Sequence, residues 1–250
     1  MSIGLTDVGR KRNHNEDSFL LDTDLQLFVV ADGMGGHAGG GTASTLAVRT
    51  IDKELRKLWE LPDSPFRWKT SLQDSPLPQH LRAAVECSCI EIFNAAQSDP
   101  RLSGMGTTVI ALLLHHEHAL FAHVGDSRAY LVRKGFIQQI SEDHSLVNEQ
   151  VKAGMITLEE AKHSNYRNII TRSVGFEEEV QVDILGLLSE PNDIFILCSD
   201  GLANAVEDEE MKKIALSAPS FEEIPKRLIA LANERGGDDN ITVVIVKRIS

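Results

Sequence analysis

Residues 25–41 of this 250-residue chain read LQLFVVADGMGGHAGGG, an apolar run that ends on a carboxylate and a glycine-rich turn. The β-branched and aromatic residues predict a buried strand, and the glycines allow the backbone to come close to a ligand. A charge at the end of a buried strand is costly unless it is hydrogen-bonded or bound to a cation. Asp32 is therefore the residue to explain, and we ask whether other carboxylates share its site.

Three further apolar runs border an aspartate in the same way. Asp126 and Asp200 each follow such a run, and Asp239 comes shortly before the last one. Taken singly, an Asp-Gly or Gly-Asp pair is typical of a turn. Four of them beside strongly apolar strands predict packed sheets whose carboxylate-bearing ends meet in one cleft. Mutual repulsion in such a cleft would require divalent cations.

The chemistry of these side chains narrows the choice of ion and reaction. Oxygen ligands select hard cations such as Mg²⁺ or Mn²⁺ over Zn²⁺ or copper. Two such ions close together suit phosphate-ester hydrolysis, because they activate a bridging water and neutralise charge on the phosphoryl oxygens. Arg12, in a polar turn, would complete the site because a guanidinium can grip two phosphate oxygens. The residues alone thus predict a metal-dependent phosphohydrolase.

The composition argues against several other classes of protein. The net charge of −12 disfavours nucleic-acid binding, since phosphate backbones are held by lysine and arginine. The longest apolar run, 109–114, is far below the ~20 residues that span a bilayer, and the N-terminus has no signal pattern. We therefore expect a cytoplasmic protein without a membrane partner. Cys87, Cys89 and Cys198 cannot all pair, and we expect them to be reduced thiols in the core.

The spacing of apolar residues predicts an alternation of strands and helices within one domain over residues 1–250. Strands are expected at residues 2–6, 18–21, 25–31, 106–114, 119–124, 129–133, 136–140, 180–184, 193–198 and 241–246. Helices are expected at residues 42–59, 81–96, 211–216 and 224–231. Four of the eight prolines lie in residues 61–79, which predicts an irregular excursion, and the polar segment 145–172 predicts a mobile appendage divided by Gly154.

Eight short blocks occur in an order that covers nearly the whole chain. They read RNHNED (12–17), VADGMGGH (30–37), GMGTT (104–108), VGDSR (124–128), DHS (143–145), TRSVG (171–175), SDGL (199–202) and DDNIT (238–242). In these blocks the chain resembles the PPM or PP2C-type metal-dependent protein serine/threonine phosphatases, in their bacterial form. The resemblance implies an α+β fold, a four-layer α/β/β/α sandwich of two antiparallel sheets flanked by helices, with a metal centre at one edge.

The resemblance also implies roles for individual residues at the metal centre. Asp32 would bridge two core ions, and the backbone carbonyl of Gly33 would bind the second. Asp200 and Asp239 would bind the first ion, with Glu16 acting through water. The water that bridges the metals would attack the phosphoryl group directly, so that no phosphoenzyme is implied.

Further residues surround this implied centre. Arg12 would hold the substrate phosphate, and Asp17 would be a neighbouring hydrogen-bond acceptor. Asp126 and Asp200 would form the weaker third metal site that bacterial relatives show, so Asp200 would contribute to two sites. Residues 145–172 would be a flap beside the cleft.

The proton donor for the leaving alkoxide stays open. Met34 stands where eukaryotic relatives carry a histidine proposed as general acid, although bacterial relatives commonly have methionine there. We expect a metal-bound water to donate this proton, and His37 is the alternative donor. The role that we expect for His37 is instead to hydrogen-bond the glycine turn. We expect Asn240 to support the ligands and His144, which precedes a helix start, to be structural.

Three hypotheses for the function follow. The first is metal-dependent hydrolysis of phosphoserine and phosphothreonine in proteins, in signalling, by a monomer that opposes a cognate serine/threonine kinase. The second is a catalytically silent regulatory domain that binds phosphoproteins, which the retention of Asp32, Asp200, Asp239 and Arg12 argues against. The third is hydrolysis of small phosphate esters, which remains because no specificity pocket is visible in the sequence.

Overall fold

The computed structural model of the chain describes residues 1–35, 39–71 and 73–249. The strands in these ranges are β1 (Ser2–Asp7), β2 (Asp17–Asp22), β3 (Leu27–Met34), β4 (Gly106–Thr107), β5 (Val109–His115), β6 (His118–Val124), β7 (Arg128–Arg133), β8 (Phe136–Gln139), β9 (Asp183–Leu188), β10 (Ile194–Cys198) and β11 (Ile241–Lys247). The helices are α1 (Gly39–Glu60), α2 (Leu77–Ser98), α3 (Leu146–Lys152), α4 (Leu158–Lys162), α5 (Asp200–Ala203), α6 (Asp208–Ser217) and α7 (Glu223–Glu234).

The strands form two antiparallel sheets. One has the order β1-β11-β10-β7-β8, and the other has the order β2-β3-β5-β6-β9, with the short β4 paired to β3. Helices α1 and α2 lie on the outer face of the second sheet, and α5, α6 and α7 lie on the outer face of the first. The predicted α+β sandwich of two antiparallel sheets flanked by helices is confirmed.

The central strands are apolar throughout because each of their faces contacts a different core. In β3, Val29 and Ala31 pack beneath α1 and α2, whereas Phe28 and Val30 face the other sheet. The rings of Phe121 and Phe195 meet between the sheets, with centroids 5.9 Å apart. Burial of each such side chain is worth roughly 1.5–3 kcal/mol, so three stacked cores fix the four layers. Strands buried on both faces lose the alternating pattern of a half-exposed sheet.

Several predicted boundaries differ from the structure, each for a local reason. The predicted strand 106–114 is two strands, because Thr108 turns both its amide and its hydroxyl toward the backbone of Asp32. Helix α2 begins at Leu77 rather than at 81, because a proline is tolerated in a first helical turn. The predicted strand 180–184 is displaced to β9. Cys87 is exposed and is not a core thiol, whereas Cys89 and Cys198 are buried.

The segment 145–172 carries two short helices joined through Gly154, whose φ of +69° suits a glycine. Its two ends meet, since the amide of Leu146 donates to the carbonyl of Ile169 at 2.8 Å. The segment exposes apolar side chains, including Met155 and Leu158. In the described part of the chain, no helix has both the length and the apolar character needed to cross a membrane.

Two glycines allow the energetic cost of backbone strain to be distinguished from the cost of steric overlap. Gly135 and Gly175 both have positive φ, +84° and +91°. A Cβ on Gly135 would meet open space, whereas one on Gly175 would overlap the side chain of the buried Ile92. We expect Gly135→Ala to cost about 1 kcal/mol and Gly175→Ala about 3 kcal/mol or more in free energy of unfolding, measured by urea denaturation. Equal costs for the two variants would contradict this packing.

Candidate active site

The two sheets bring five aspartates to one edge of the molecule. Asp17 begins β2 and pairs in register with Asp32 of β3. Asp126 lies in the connection that leaves one sheet after β6 and enters the other at β7. Asp200 is the first residue of α5, directly after β10, and Asp239 lies just before β11. The convergence of Asp32, Asp126, Asp200 and Asp239 predicted from the strand ends is therefore observed.

Backbone contacts fix the position of Asp32. Its amide donates to the hydroxyl of Thr108 at 3.0 Å, and its carbonyl accepts from the amide of Thr108 and the hydroxyl of Thr107, both at 2.9 Å. On the side of Asp32, these bonds involve only main-chain atoms. The carboxyl group of Asp32 is thus held at the strand end, within hydrogen-bonding reach of the carboxyl group of Asp200.

A second set of contacts anchors Asp17, which is buried. The hydroxyl of Ser199 donates to Asp17 Oδ2 at 2.8 Å and accepts from the amide of Thr242 at 3.0 Å. One serine therefore ties β2 to the ends of β10 and β11. Ser199 lies in a block that the sequence singled out, but its anchoring role becomes visible only from the packing of three strands.

Asp17, Asp32, Asp126 and Asp200 have raised pKa values. Removal from water is the largest cause for each, and the charges of the neighbouring aspartates add to it. The pKa is raised to about 7 for Asp17 and Asp126 and to about 6 for Asp200. For Asp32, which is affected by all four other aspartates, the pKa lies well above its ordinary value. The cluster resists ionisation of all its members together.

Two oxygens of the cluster are buried without a hydrogen-bond partner among the described residues. They are the Oδ1 atoms of Asp17 and Asp200. A buried polar atom without a partner is costly, and such atoms are common where an ion or water binds. Within residues 1–35, 39–71 and 73–249, however, no three carboxylate, imidazole or thiol groups already lie close enough to hold one ion. The aspartates are neighbours around a gap rather than a closed cage.

Arg12 lies at the rim of the cluster. Its guanidinium contacts Asp239 Oδ2 at 2.8 Å, and 52% of its side chain is exposed, so it can be reached by a substrate. The structure thus places Arg12 beside the aspartates, as predicted, but gives it a partner that the sequence did not indicate. Arg12 and Asp239 are 227 residues apart in the chain, and their contact depends on the fold.

The loop that carries Glu16 is tied to the same edge. The side chain of Asn240 accepts from the amide of Glu16 at 2.8 Å and donates to the carbonyl of His14 at 3.0 Å. The amide of Gly33 donates to the carbonyl of Glu16 at 3.2 Å. A Cβ on Gly40 would lie 2.8 Å from the backbone carbonyl carbon of Gly33, which explains a glycine at that position. Glu16, Gly33 and Asn240 are thus gathered where the sequence placed them.

Three residues discussed as possible proton donors or supports have different outcomes. Met34 ends β3, pairs with Gly106 and is half-buried. His37 lies outside the described residues. His144 has contacts on both ring nitrogens: Nδ1 accepts from the amide of Gly125 at 3.0 Å, and Nε2 is 3.1 Å from Asp183. These contacts support the structural role expected for His144, next to the connection that carries Asp126.

Comparisons with known proteins agree with this geometry. The sequence profile of the family described as Protein phosphatase 2C matches residues 9–242. The serine/threonine phosphatase stp of Listeria monocytogenes is 38% identical over 246 residues, which are 97% of this chain and 94% of that protein.

Solved structures are similar over the full length of the chain. The serine/threonine phosphatase PstP/Ppp of Mycobacterium tuberculosis has a TM-score of 0.87 and 35% identity, covering 100% of this chain and 99% of that one. The catalytic domain of serine threonine protein phosphatase PstP in complex with two manganese ions has a TM-score of 0.85 and 34% identity, covering 100% of this chain and 98% of that one. The match to the sequence profile, the identity to a relative and the similarity of the fold show that this chain belongs to the protein phosphatase 2C family.

Proposed function

We propose that the chain hydrolyses phosphoserine and phosphothreonine in proteins and that it requires divalent cations to do so. Membership of the family and the relatives named serine/threonine phosphatases support this function. One observation carries the proposal: aspartates with raised pKa values lie together, and two of their buried oxygens, in Asp17 and Asp200, have no hydrogen-bond partner among the described residues. A cluster of this kind suits cations better than it suits a neutral ligand.

The donor set fits hard cations. We propose that Asp32, Asp200 and Asp239, with the carbonyl of Gly33 and with Glu16 through water, hold two Mn²⁺ or Mg²⁺ ions. The unpartnered oxygen of Asp200 and the all-oxygen chemistry of the set support this assignment. Bound by these residues, such ions would lower the pKa of a water molecule and neutralise charge that develops on the phosphoryl oxygens.

Asp126 extends the cluster on the side of Asp200. The charge of Asp200 is the second cause of the raised pKa of Asp126, after removal from water, which supports a short distance between the two carboxylates. We propose that this pair binds a third, weaker ion. Its ligands come from one loop and one helix start, without the backbone clamp that holds Asp32.

The protein's own side chains would bind and orient the substrate. We propose that Arg12 moves from Asp239 to the substrate phosphate, where its planar guanidinium can donate two parallel hydrogen bonds. Its exposure supports such a movement. Asp17, fixed by Ser199, would accept a hydrogen bond and keep the attacking water oriented. Met34 has no proton to give, so we propose that a water molecule in the site protonates the leaving alkoxide.

The biological setting is also a proposal. A phosphorylated serine or threonine implies a kinase that made it, so a serine/threonine kinase is the expected counterpart. We propose that the protein acts as a monomer and as one phosphatase domain over residues 1–250, with residues 145–172 as a flap. The three cysteines are free thiols, which supports a reducing compartment such as the cytoplasm.

Phosphate release from a phosphothreonine peptide tests the function. We expect turnover by the wild type with Mn²⁺ or Mg²⁺ and none with EDTA. Asp239→Ala should lower kcat/KM by about a hundredfold or more, because it removes a proposed ligand and the partner of Arg12. Asp238→Ala is the matched control, since this neighbouring carboxylate is exposed, and it should retain activity.

The outcomes distinguish the three hypotheses. A wild type that is inert with either ion, but binds Mn²⁺ and the phosphopeptide, would show a silent binding domain instead of an enzyme. A higher kcat/KM on sugar or nucleotide phosphates than on the peptide would show a small-ester hydrolase. Equal activity of Asp239→Ala and Asp238→Ala would remove Asp239 from the site.

The raised pKa values predict how stabilisation by Mn²⁺ depends on pH. In the folded protein without metal the pKa is about 7 for Asp17 and Asp126 and about 6 for Asp200. In the unfolded chain it is about 3.9. The folded state therefore binds more protons between about pH 4 and pH 7, and stability that these groups contribute at low pH is lost as pH rises through this window.

Mn²⁺ must displace these protons, so its stabilising effect should grow with pH. We expect the difference in Tm between Mn²⁺ and EDTA to increase from pH 5 to pH 7 and then to level off. Buried histidines such as His123, whose pKa burial lowers to about 4, contribute equally with and without metal and cancel in this difference. A difference that stays constant or shrinks over this range would contradict the proposed site.

A further inference from the structure

An open cavity of about 520 Å³ lies beside the aspartate cluster. One wall is the loop that carries His14 and Glu16, and the other is the N-terminal half of α1, with Thr45, Leu46 and Arg49. The mechanism proposed above uses Glu16 from this lining and leaves the other residues without a role. Glu16 lines the cavity and also belongs to the proposed metal centre, so the cavity and the site share one residue.

The walls of the cavity are held in place before any ligand binds. The hydroxyl of Ser44, in α1, donates to the carbonyl of Glu16 at 2.6 Å and so joins the helix to the loop. On the other side of the loop, Asn240 binds both His14 and Glu16, and the side chain of Asn15 donates to Thr6 at 2.7 Å. A preformed wall reduces the entropy lost when a ligand binds.

Several cationic side chains lie near the cavity, although the chain as a whole is acidic and Glu16 also lines the cavity. The chain has a net charge of −12, and a phosphorylated substrate is itself an anion. Next to the cleft, however, the loop carries Arg10, Lys11 and Arg12 in succession, and His14 and Arg49 line the cavity. A local group of cations in an acidic protein attracts an anionic ligand to one place on its surface.

Arg49 is the cation that best marks the cavity. Farther along the same helix, Arg56 pairs with Asp22 and Lys57 pairs with Glu54. Arg49 has no ion pair or side-chain hydrogen bond to any residue that the structure describes, and it is exposed. Its guanidinium is therefore available to a carboxylate or phosphate, with the hydroxyl of Thr45 and the half-buried Leu46 beside it.

We propose that this cavity binds an acidic group of the substrate, a carboxylate or a second phosphate a few residues from the phosphorylated residue, and that Arg49 is the residue that selects it. The inference rests on the proposed phosphatase activity and names the class of phosphoprotein preferred. An extended peptide advances about 3.4 Å per residue, so an acidic side chain within three residues of the phosphate can reach about 10 Å. His14 would assist as a second donor.

The test compares peptides that differ at one position, where an acidic residue replaces a neutral one. A phosphothreonine peptide with Gln at every flanking position is the reference, and Glu or phosphoserine is introduced at single positions up to four residues on either side. We expect the wild type to prefer the acidic peptide by about fivefold to tenfold in kcat/KM at one or two of these positions. Arg49→Gln should lose this preference, and Arg49→Lys should retain part of it.

Two controls separate binding of the acidic group from catalysis and from net charge. p-Nitrophenyl phosphate has no flanking residues, so Arg49→Gln should hydrolyse it, and the Gln reference peptide, as the wild type does. Arg227→Gln removes the same charge from an exposed position on α7 and should keep the full preference.

Three results would overturn the inference, and a fourth would identify the acidic group. A wild type without any preference for acidic peptides, or an Arg49→Gln variant that keeps it, removes the cavity as a substrate site while the phosphatase activity stands. An equal loss on all substrates, including p-nitrophenyl phosphate, would show that Arg49 supports catalysis rather than selection. If the wild type hydrolyses none of the substrates, the proposed function fails and the inference fails with it. A preference for phosphoserine alone would identify the group as a second phosphate.

Discussion

The repulsion among the aspartates at one edge of the two sheets is the constraint on which the rest of the structure depends. Asp17, Asp32, Asp126 and Asp200 all have raised pKa values because they are removed from water and because each faces other carboxylates. Without a cation, the fold keeps these groups together at a cost in stability. The cost is explained if the cluster exists to bind divalent cations, since the same charges that destabilise the metal-free protein attract the ions.

Many features of the fold serve to resist this repulsion. Strands buried on both faces form three apolar cores, and these rigid layers hold the strand ends in place. Thr108 fixes the backbone of Asp32, and Ser199 ties Asp17 to the neighbouring sheet. Asn240 fixes the loop of Glu16. Each anchor binds backbone or a single carboxylate oxygen, and Oδ1 of Asp17 keeps no partner among the described residues.

The strands and the central aspartates could be predicted from the sequence because both depend on local signals, whereas the four-layer arrangement was implied by the resemblance to the family. Apolar runs that end at Asp32 or Asp200 mark buried strands and the points where they end without any knowledge of the packing. Thr108 could not be assigned in this way, since its break between β4 and β5 depends on the backbone of Asp32 across the sheet. The contact between Arg12 and Asp239 also needed the fold.

The cavity beside the cluster lay beyond sequence reasoning for a similar reason. His14 and Arg49 lie in a loop and a helix whose contact is made by Ser44, and neither residue has a pattern that distinguishes it from an ordinary exposed charge. For Cys87 the sequence-based prediction was wrong. Its neighbours follow a helical pattern, but one residue beyond the buried face of α2 is enough to expose a thiol expected in the core.

Melting temperatures of the wild type and Asp200→Asn, each in EDTA and in Mn²⁺, test the central claim most directly. Asparagine keeps the shape of Asp200 and removes its charge. The repulsion predicts that the variant melts higher than the wild type in EDTA, by about 2–4 °C for each kcal/mol of relieved repulsion, and lower in Mn²⁺. Asp238→Asn, at an exposed position, should leave both temperatures unchanged. An Asp200→Asn variant that melts lower in EDTA, or that retains the full Mn²⁺ shift, would contradict the account.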